Sequence, residues 1–266
     1  MTTKINDIDE IKRIAEKAAR SAGKILKDGL TRDFSISYKG PVNLVTDIDM
    51  ASEDLIVNII KERFPDHLIL AEEGHRDGEG SGYKWIIDPL DGTTNYAHRF
   101  PFFCVSIGFE ADGEIVFGMI YDPIRDEMFS AERGKGAYLN NKTISVSKAA
   151  SLSKSLLVTG FAYDVREAAR NNFDHFYNFS LASIGVRRTG SAALDLCYVA
   201  SGRLDGFWEM NLSPWDTAAG WLMVKEAGGN VTDFRGGLFS IYKKEILASN
   251  GKIHDEMVNI IQRGIR

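Results

Sequence analysis

Apolar residues recur at spacings of three and four through Ile8, Ile11, Ile14, Ala15, Ala18, Ala22, Ile25 and Leu26, and Gly29 follows. That period predicts one amphipathic helix stopped by a glycine. It is lost over residues 30–42, LTRDFSISYKGPV, which are expected to form a mobile loop. It returns from about Asp47 to Arg63, where Leu55, Ile56, Ile59 and Ile60 share a face and Pro65 marks the stop. Short apolar runs at Leu68 to Ala71 and Lys84 to Ile87 predict two strands, and the glycine-rich GHRDGEGSG between them predicts an exposed loop. Phe103 to Phe109 and Ile115 to Tyr121 flank Ala-Asp-Gly-Glu, a hairpin pattern, and Glu127 to Glu132 and Ala137 to Leu139 add strands to a largely antiparallel half.

Beyond Ser155 strand and helix alternate: SLLVTG, a helix over roughly 165–183, GVRRTG, a helix from Ser191, then LDGFWEM. Ser213 caps the next helix, Pro214 suits its first turn, and Gly228-Gly229 ends it. The pattern predicts an α/β chain whose two halves, about 1–150 and about 151–266, share one compact body without a linker.

Composition narrows the function. The 32 basic and 37 acidic residues are interleaved for a formal charge of -5, which gives no sustained positive field and argues against nucleic acid as the main ligand. Cys104 and Cys197 lie in apolar runs, as buried thiols do. The N-terminus is amphipathic and no run of about 18 uncharged apolar residues occurs, so a soluble, cytoplasmic protein without membrane contact is expected.

The chemistry concentrates in carboxylates. In IIDPLDG, Pro89 is expected to end a strand at Asp88, and a turn from there to Asp91 can bring both carboxylates and the Leu90 carbonyl into one space. These are hard oxygen ligands suited to magnesium or manganese. Gly92, Thr93, Thr94 and Asn95 follow, where a helix start can offer N–H groups to an anion. A lone D-P-x-D-G is as readily a simple β-turn. Three more acidic segments stand beside it: Glu72-Glu73 at a strand end, Asp216 in the first turn of the capped helix, and Asp47-Ile48-Asp49 opening the second helix. Taken singly, each also reads as a solvated loop or a helix-start acid.

Together, WIIDPLDGTTN at 85–95 and WDTAAG at 215–220 resemble the inositol monophosphatase family, magnesium-dependent, lithium-sensitive sugar-phosphate phosphatases, across almost the whole chain. The resemblance implies an αβαβα layered sandwich of the inositol monophosphatase and fructose-1,6-bisphosphatase type, a single domain whose two halves share the active site, and a homodimer. It implies two to three Mg2+ ions, the first held by Glu72, Asp88 and the Leu90 carbonyl and the second by Asp88, Asp91 and Asp216. Thr93 paired with Asp49 would position the attacking water, with Glu72 close to the chemistry. Gly92 and Thr93 would present amides to the phosphate, and Gly190, Ala192 and Glu209 would contact substrate hydroxyls. Lys39 falls in the segment matching the family's mobile loop, slightly shorter here before Pro41. Glu73 takes the second acid of the family's G-E-E, with Ala71 in place of its glycine.

The expected reaction is hydrolysis of inositol 1-phosphate by in-line attack of water, with fructose 1,6-bisphosphate, nucleotides and other sugar phosphates as alternatives. Two other readings stay open. Asp47-Ile48-Asp49 also resembles the D-x-D of haloacid-dehalogenase phosphatases, which work through an aspartyl phosphate. A chain that keeps the fold while serving as a dimeric interaction partner is the other. No histidine belongs to the constellation, and G-x-S-x-G is absent.

Overall fold

The computed structural model describes residues 8–31, 35–38, 44–76, 82–168 and 171–263. The first half runs α1 (Ile8–Gly29), β1 (Ile36–Tyr38), β2 (Leu44–Thr46), α2 (Asp47–Arg63), β3 (Leu68–Ala71), β4 (Tyr83–Asp91), α3 (Thr93–Ala97), β5 (Cys104–Ala111), β6 (Glu114–Asp122), β7 (Glu127–Glu132), β8 (Gly136–Leu139) and β9 (Lys142–Thr143). The second runs β10 (Leu156–Thr159), α4 (Phe173–Ala182), β11 (Gly185–Arg187), α5 (Ala192–Ala200), β12 (Gly206–Met210), α6 (Pro214–Glu226), β13 (Asn230–Thr232), β14 (Glu245–Ser249) and α7 (His254–Gln262).

Strands β3 to β9 form a seven-stranded sheet in sequence order, antiparallel except at the parallel β3–β4 pair. A second sheet has the order β11-β10-β12-β14-β13 and mixes parallel with antiparallel pairs. Helices α1 and α2 cover one face of the larger sheet, α5 and α6 fill the space between the sheets, and α4 and α7 cover the far face of the smaller one. This is the expected αβαβα sandwich. A strand covered on both faces needs no polar alternation. In β4, Trp85 and Ile87 pack toward α1 and α2 while Ile86 packs toward the interior helices, and all three are fully buried.

Two glycines let α6 lie against the larger sheet. A Cβ on Gly108 would sit 2.9 Å from the Ala218 Cβ, and one on Gly118 would sit 2.8 Å from the Ala219 Cα. Asp88 pairs across the sheet with Ser106, whose hydroxyl donates to the Trp215 carbonyl at 3.4 Å. The start of α6 is thereby fixed over the end of β4, and Asp216 comes near Asp88 although 128 residues separate them.

Several expectations change. The strand does not end at Asp88: β4 continues to Asp91 through a register shift between the two aspartates, and Asp91 pairs with Cys104. Pro89, which cannot donate, sits in that bulge, where no ladder bond is required of it. The helix expected over 165–183 is shorter, Phe173–Ala182, and residues 163–167 form turns. Its start is pinned by buried Asn172, whose amide nitrogen donates to Thr159 Oγ1 and the Gly160 carbonyl at 2.7 Å each and whose oxygen accepts from Trp208 Nε1. Within the segment expected to be a loop, β1 pairs antiparallel with β2. Lys39 lies outside the described residues. Among the described residues no helix is long and apolar enough to cross a membrane.

Candidate active site

The bulge in β4 is held from three sides. The Leu90 amide donates to Asp88 Oδ1 at 3.0 Å, Ser52 on α2 donates to the Pro89 carbonyl at 2.9 Å, and the Leu90 carbonyl accepts from Thr93 Oγ1 at 3.1 Å. Thr93 Oγ1 also lies 3.1 Å from Asp49 Oδ1. A hydroxyl has one proton and here faces two acceptors, so it donates to one of them at a time and its lone pairs stay open to a donor. Asp49 is itself fixed by a capping box: Thr46 donates its amide at 2.8 Å and its hydroxyl to Asp49 Oδ2. Burial raises the Asp49 pKa, and the bonds from Thr46 and Thr93 pull it back.

Register places Glu72. Because Ala71 pairs with Ile87 in parallel, the next residue falls beside Asp88, and the Glu72 amide donates to the Ile87 carbonyl at 3.3 Å. Asp91 is tied to the start of α5, accepting at Oδ2 from Ser191 Oγ at 2.6 Å and the Ala193 amide at 2.7 Å. Asp216 is the third residue of α6 and accepts the Ser213 amide at 2.6 Å, so the helix-cap role expected of it is real. Gly92 adopts a left-handed φ of 100°, and a Cβ there would meet the Phe102 carbonyl at 3.0 Å. Asn95 donates to the carbonyls of Phe102 and Thr189 at 2.7 and 2.8 Å, lashing this loop to the second half of the chain.

A cavity of about 250 Å³ results. Of the predicted site residues, Glu72, Asp88, Leu90, Asp91, Gly92, Thr93, Gly190, Ala192, Glu209 and Asp216 line it. Asp49 stands behind Thr93, and Glu73 does not line the cavity. The sequence assigned no role in the site to Ser191 and Asp195 on the α5 side, to Arg188, to the Phe161–Tyr163 wall or to Thr46. The T-x-x-D spacing of a capping box would have found Thr46. Glu209 rests against Gly160, where a Cβ would lie 2.1 Å from its Oε1.

The carboxyls disturb one another. Asp88 is pushed well above its ordinary range by burial and then by the charges of Glu72, Asp91 and Asp216. Burial raises Asp91 to about 6 despite its hydrogen bonds, and burial with the Asp91 charge raises Asp216 to about 8. Glu209 is pushed well up by burial and by Asp195. Arg188, at the exposed rim, is the only basic side chain among the described lining residues. An all-oxygen set of mutually repelling acids fits a hard divalent cation such as Mg2+. No group of three His, Cys, Asp or Glu side chains among the described residues closes on one point, and Mg2+ commonly keeps several waters in its shell.

These shifts set a pH dependence for the metal-free chain. The folded carboxyls hold protons that the unfolded chain releases, so stability falls as pH rises. The contribution is whole below the ordinary carboxylate value of 3.8 and is lost through about 6 for Asp91 and about 8 for Asp216. Melting in EDTA is expected at a lower temperature above about pH 8 than near pH 5, and added Mg2+ should narrow the gap. A melting temperature that rises over this interval in EDTA would contradict the raised carboxyls that burial and mutual repulsion produce.

Comparison with known proteins agrees with this geometry. A family model described as "Inositol monophosphatase family" matches residues 7–266. The chain belongs to the inositol monophosphatase family. It is 46% identical over 254 residues to "Inositol-1-monophosphatase" of Synechocystis sp., covering 95% of this chain and 88% of that one. It is 43% identical over 248 residues to "Nus factor SuhB" of Escherichia coli, covering 92% and 93%. The solved inositol monophosphatase from Anabaena (Nostoc) sp. superposes with a TM-score of 0.88 at 46% identity, covering 97% of each chain. The family is one of phosphatases, and the fold is the family's.

Proposed function

We propose that the chain hydrolyses phosphate monoesters of inositol, with Mg2+, by direct attack of water. The observation that carries this reading is the Asp49–Thr93 pair set against a wall of four acids, Glu72, Asp88, Asp91 and Asp216, drawn from both halves of the chain. In it, Glu72, Asp88, Asp91, Asp216 and the Leu90 carbonyl would hold the metal ions. Bound Mg2+ supplies charge neutralisation and Lewis-acid polarisation of the phosphoryl group.

The chain's own residues do the rest. Thr93 donates its hydrogen bond to Asp49, which Thr46 fixes, or to the Leu90 carbonyl, so the Thr93 oxygen is left to accept from a water and aim it at phosphorus. Ser191 and the Ala193 amide hold Asp91 in a single orientation. Gly92 and Thr93 offer amides to the phosphate. On the other wall Gly190, Ala192 and Glu209 meet the polyol, and Glu209, with its raised pKa, can donate a proton to a hydroxyl oxygen.

The aspartyl-phosphate alternative is disfavoured because Asp47 does not line the cavity and its Oδ1 accepts from the Ser35 amide at 3.0 Å. The homodimer implied by the sequence resemblance stands as a proposal that the solution mass by light scattering would check.

Phosphate release from a panel of inositol 1-phosphate, fructose 1,6-bisphosphate and nucleoside monophosphates at saturating Mg2+ tests the activity and ranks the substrates. The highest kcat/KM is expected for inositol 1-phosphate. Release from none of them would leave the interaction-protein reading as the better one.

A further inference from the structure

Glu53 on α2 is 2% exposed, and the predicted catalytic residues leave it without a task. A buried carboxylate needs partners, because desolvation otherwise costs it several kcal/mol, roughly. Its partners all lie on the turn that follows β3. Glu53 Oε2 accepts the Glu73 amide at 2.7 Å, and Oε1 accepts the His75 amide at 3.0 Å and contacts His75 Nδ1 at 2.8 Å. The same turn is closed at its base by the Ala71 amide donating to the His75 carbonyl at 2.9 Å and by a bridge between Leu70 and Arg76. Beyond it, the Arg76 guanidinium stacks 5.4 Å from the ring centre of Trp215, which neighbours Asp216.

Glu72 lies within this turn. Its own amide is held by β4, and the very next amide is held by Glu53. We infer that Glu53 is a positioning residue for metal binding: its carboxylate sets the turn that presents Glu72 to the cavity beside Asp88. This inference rests on the reading of Glu72 as a Mg2+ ligand. Because hydrogen-bonding partners one step removed from a metal typically govern its affinity by about ten- to a hundredfold, the effect should appear in metal binding before it appears in the chemical step.

The test is Mg2+ binding by calorimetry on wild type, Glu53→Gln and His75→Ala, with kcat measured against Mg2+ in parallel and melting in EDTA as the stability control. Glu53→Gln is nearly isosteric but turns an amide toward donors that need an acceptor, so one bond to the turn is lost. Its Mg2+ dissociation constant and its half-activating Mg2+ concentration should both rise about tenfold, while kcat at saturating Mg2+ stays within about twofold of wild type. His75→Ala removes one donor from a half-exposed position and leaves both amide bonds, so the protein should fold and show a smaller shift in the same direction.

A purely structural anchor would lower melting in EDTA and leave the Mg2+ affinity of the folded molecules unchanged, and that result in either variant overturns the inference. A wild-type chain that binds no Mg2+ overturns both this inference and the proposed function. A wild type that binds it, with variants that bind it equally well, overturns this one alone.

Discussion

Asp216→Asn is expected to lower kcat about a hundredfold or more and to move the Mg2+ requirement to higher concentration, with little or no loss of stability. The substitution keeps the size of the side chain, and an asparagine oxygen can still accept the Ser213 amide that Asp216 accepts at 2.6 Å. Asn and Asp cap helices about equally well, and the lost dipole contact is worth only about 0.3–1 kcal/mol. Removing the charge also relieves the cost of burying it, and then the repulsion with Asp91 and Glu209, which together raise the Asp216 pKa. The metal-free variant should therefore melt in EDTA at or above the wild-type temperature. Catalysis moves the other way, because deleting one preorganised electrostatic element at a phosphoryl site costs about a hundredfold or more. Unchanged activity would reduce Asp216 to a helix cap.

Thr93→Ala is expected to lower kcat by roughly ten- to a thousandfold while KM stays near wild type. The hydroxyl reaches Asp49 and the Leu90 carbonyl at 3.1 Å each, and a lone pair of its oxygen is the proposed acceptor for the water. Loss of the methyl and hydroxyl contacts also strips a donor from buried Asp49, so a stability cost of about 1–3 kcal/mol should accompany the change. Thr93→Ser restores the hydroxyl and should recover most of kcat. A variant with wild-type kcat and raised KM would assign Thr93 to substrate binding instead.

Much of this site was legible in the chain because its acids sit at element boundaries that local rules mark. Pro89 flagged the irregularity in β4, Ser213 and Pro214 marked the start of α6, and the apolar run before Glu72 marked the end of β3. Reading Pro89 as a strand end was incorrect because a bulge tolerates a missing donor as well as a terminus does. What local pattern could not show is what depends on distant partners. Ser191 marks only the start of a helix in the sequence, and the fold reveals that its hydroxyl serves Asp91 a hundred residues earlier. Phe161 to Tyr163 belong to no period, and the helix was extended too far toward them because nothing local announces Asn172, whose three partners lie on β10, β12 and the Gly160 carbonyl. Glu53 falls on the buried face of α2, and nothing in the local pattern points to the turn it holds.

In the proposed function the four clustered acids, Glu72, Asp88, Asp91 and Asp216, hold the cations that make this cavity a phosphatase site. Phosphate release from inositol 1-phosphate by the wild-type chain, followed from excess EDTA through saturating Mg2+, tests it most directly. No turnover is expected in EDTA, full recovery with Mg2+ and no recovery with zinc, since no histidine or cysteine among the described residues lines the cavity. Undiminished hydrolysis in excess EDTA would contradict it.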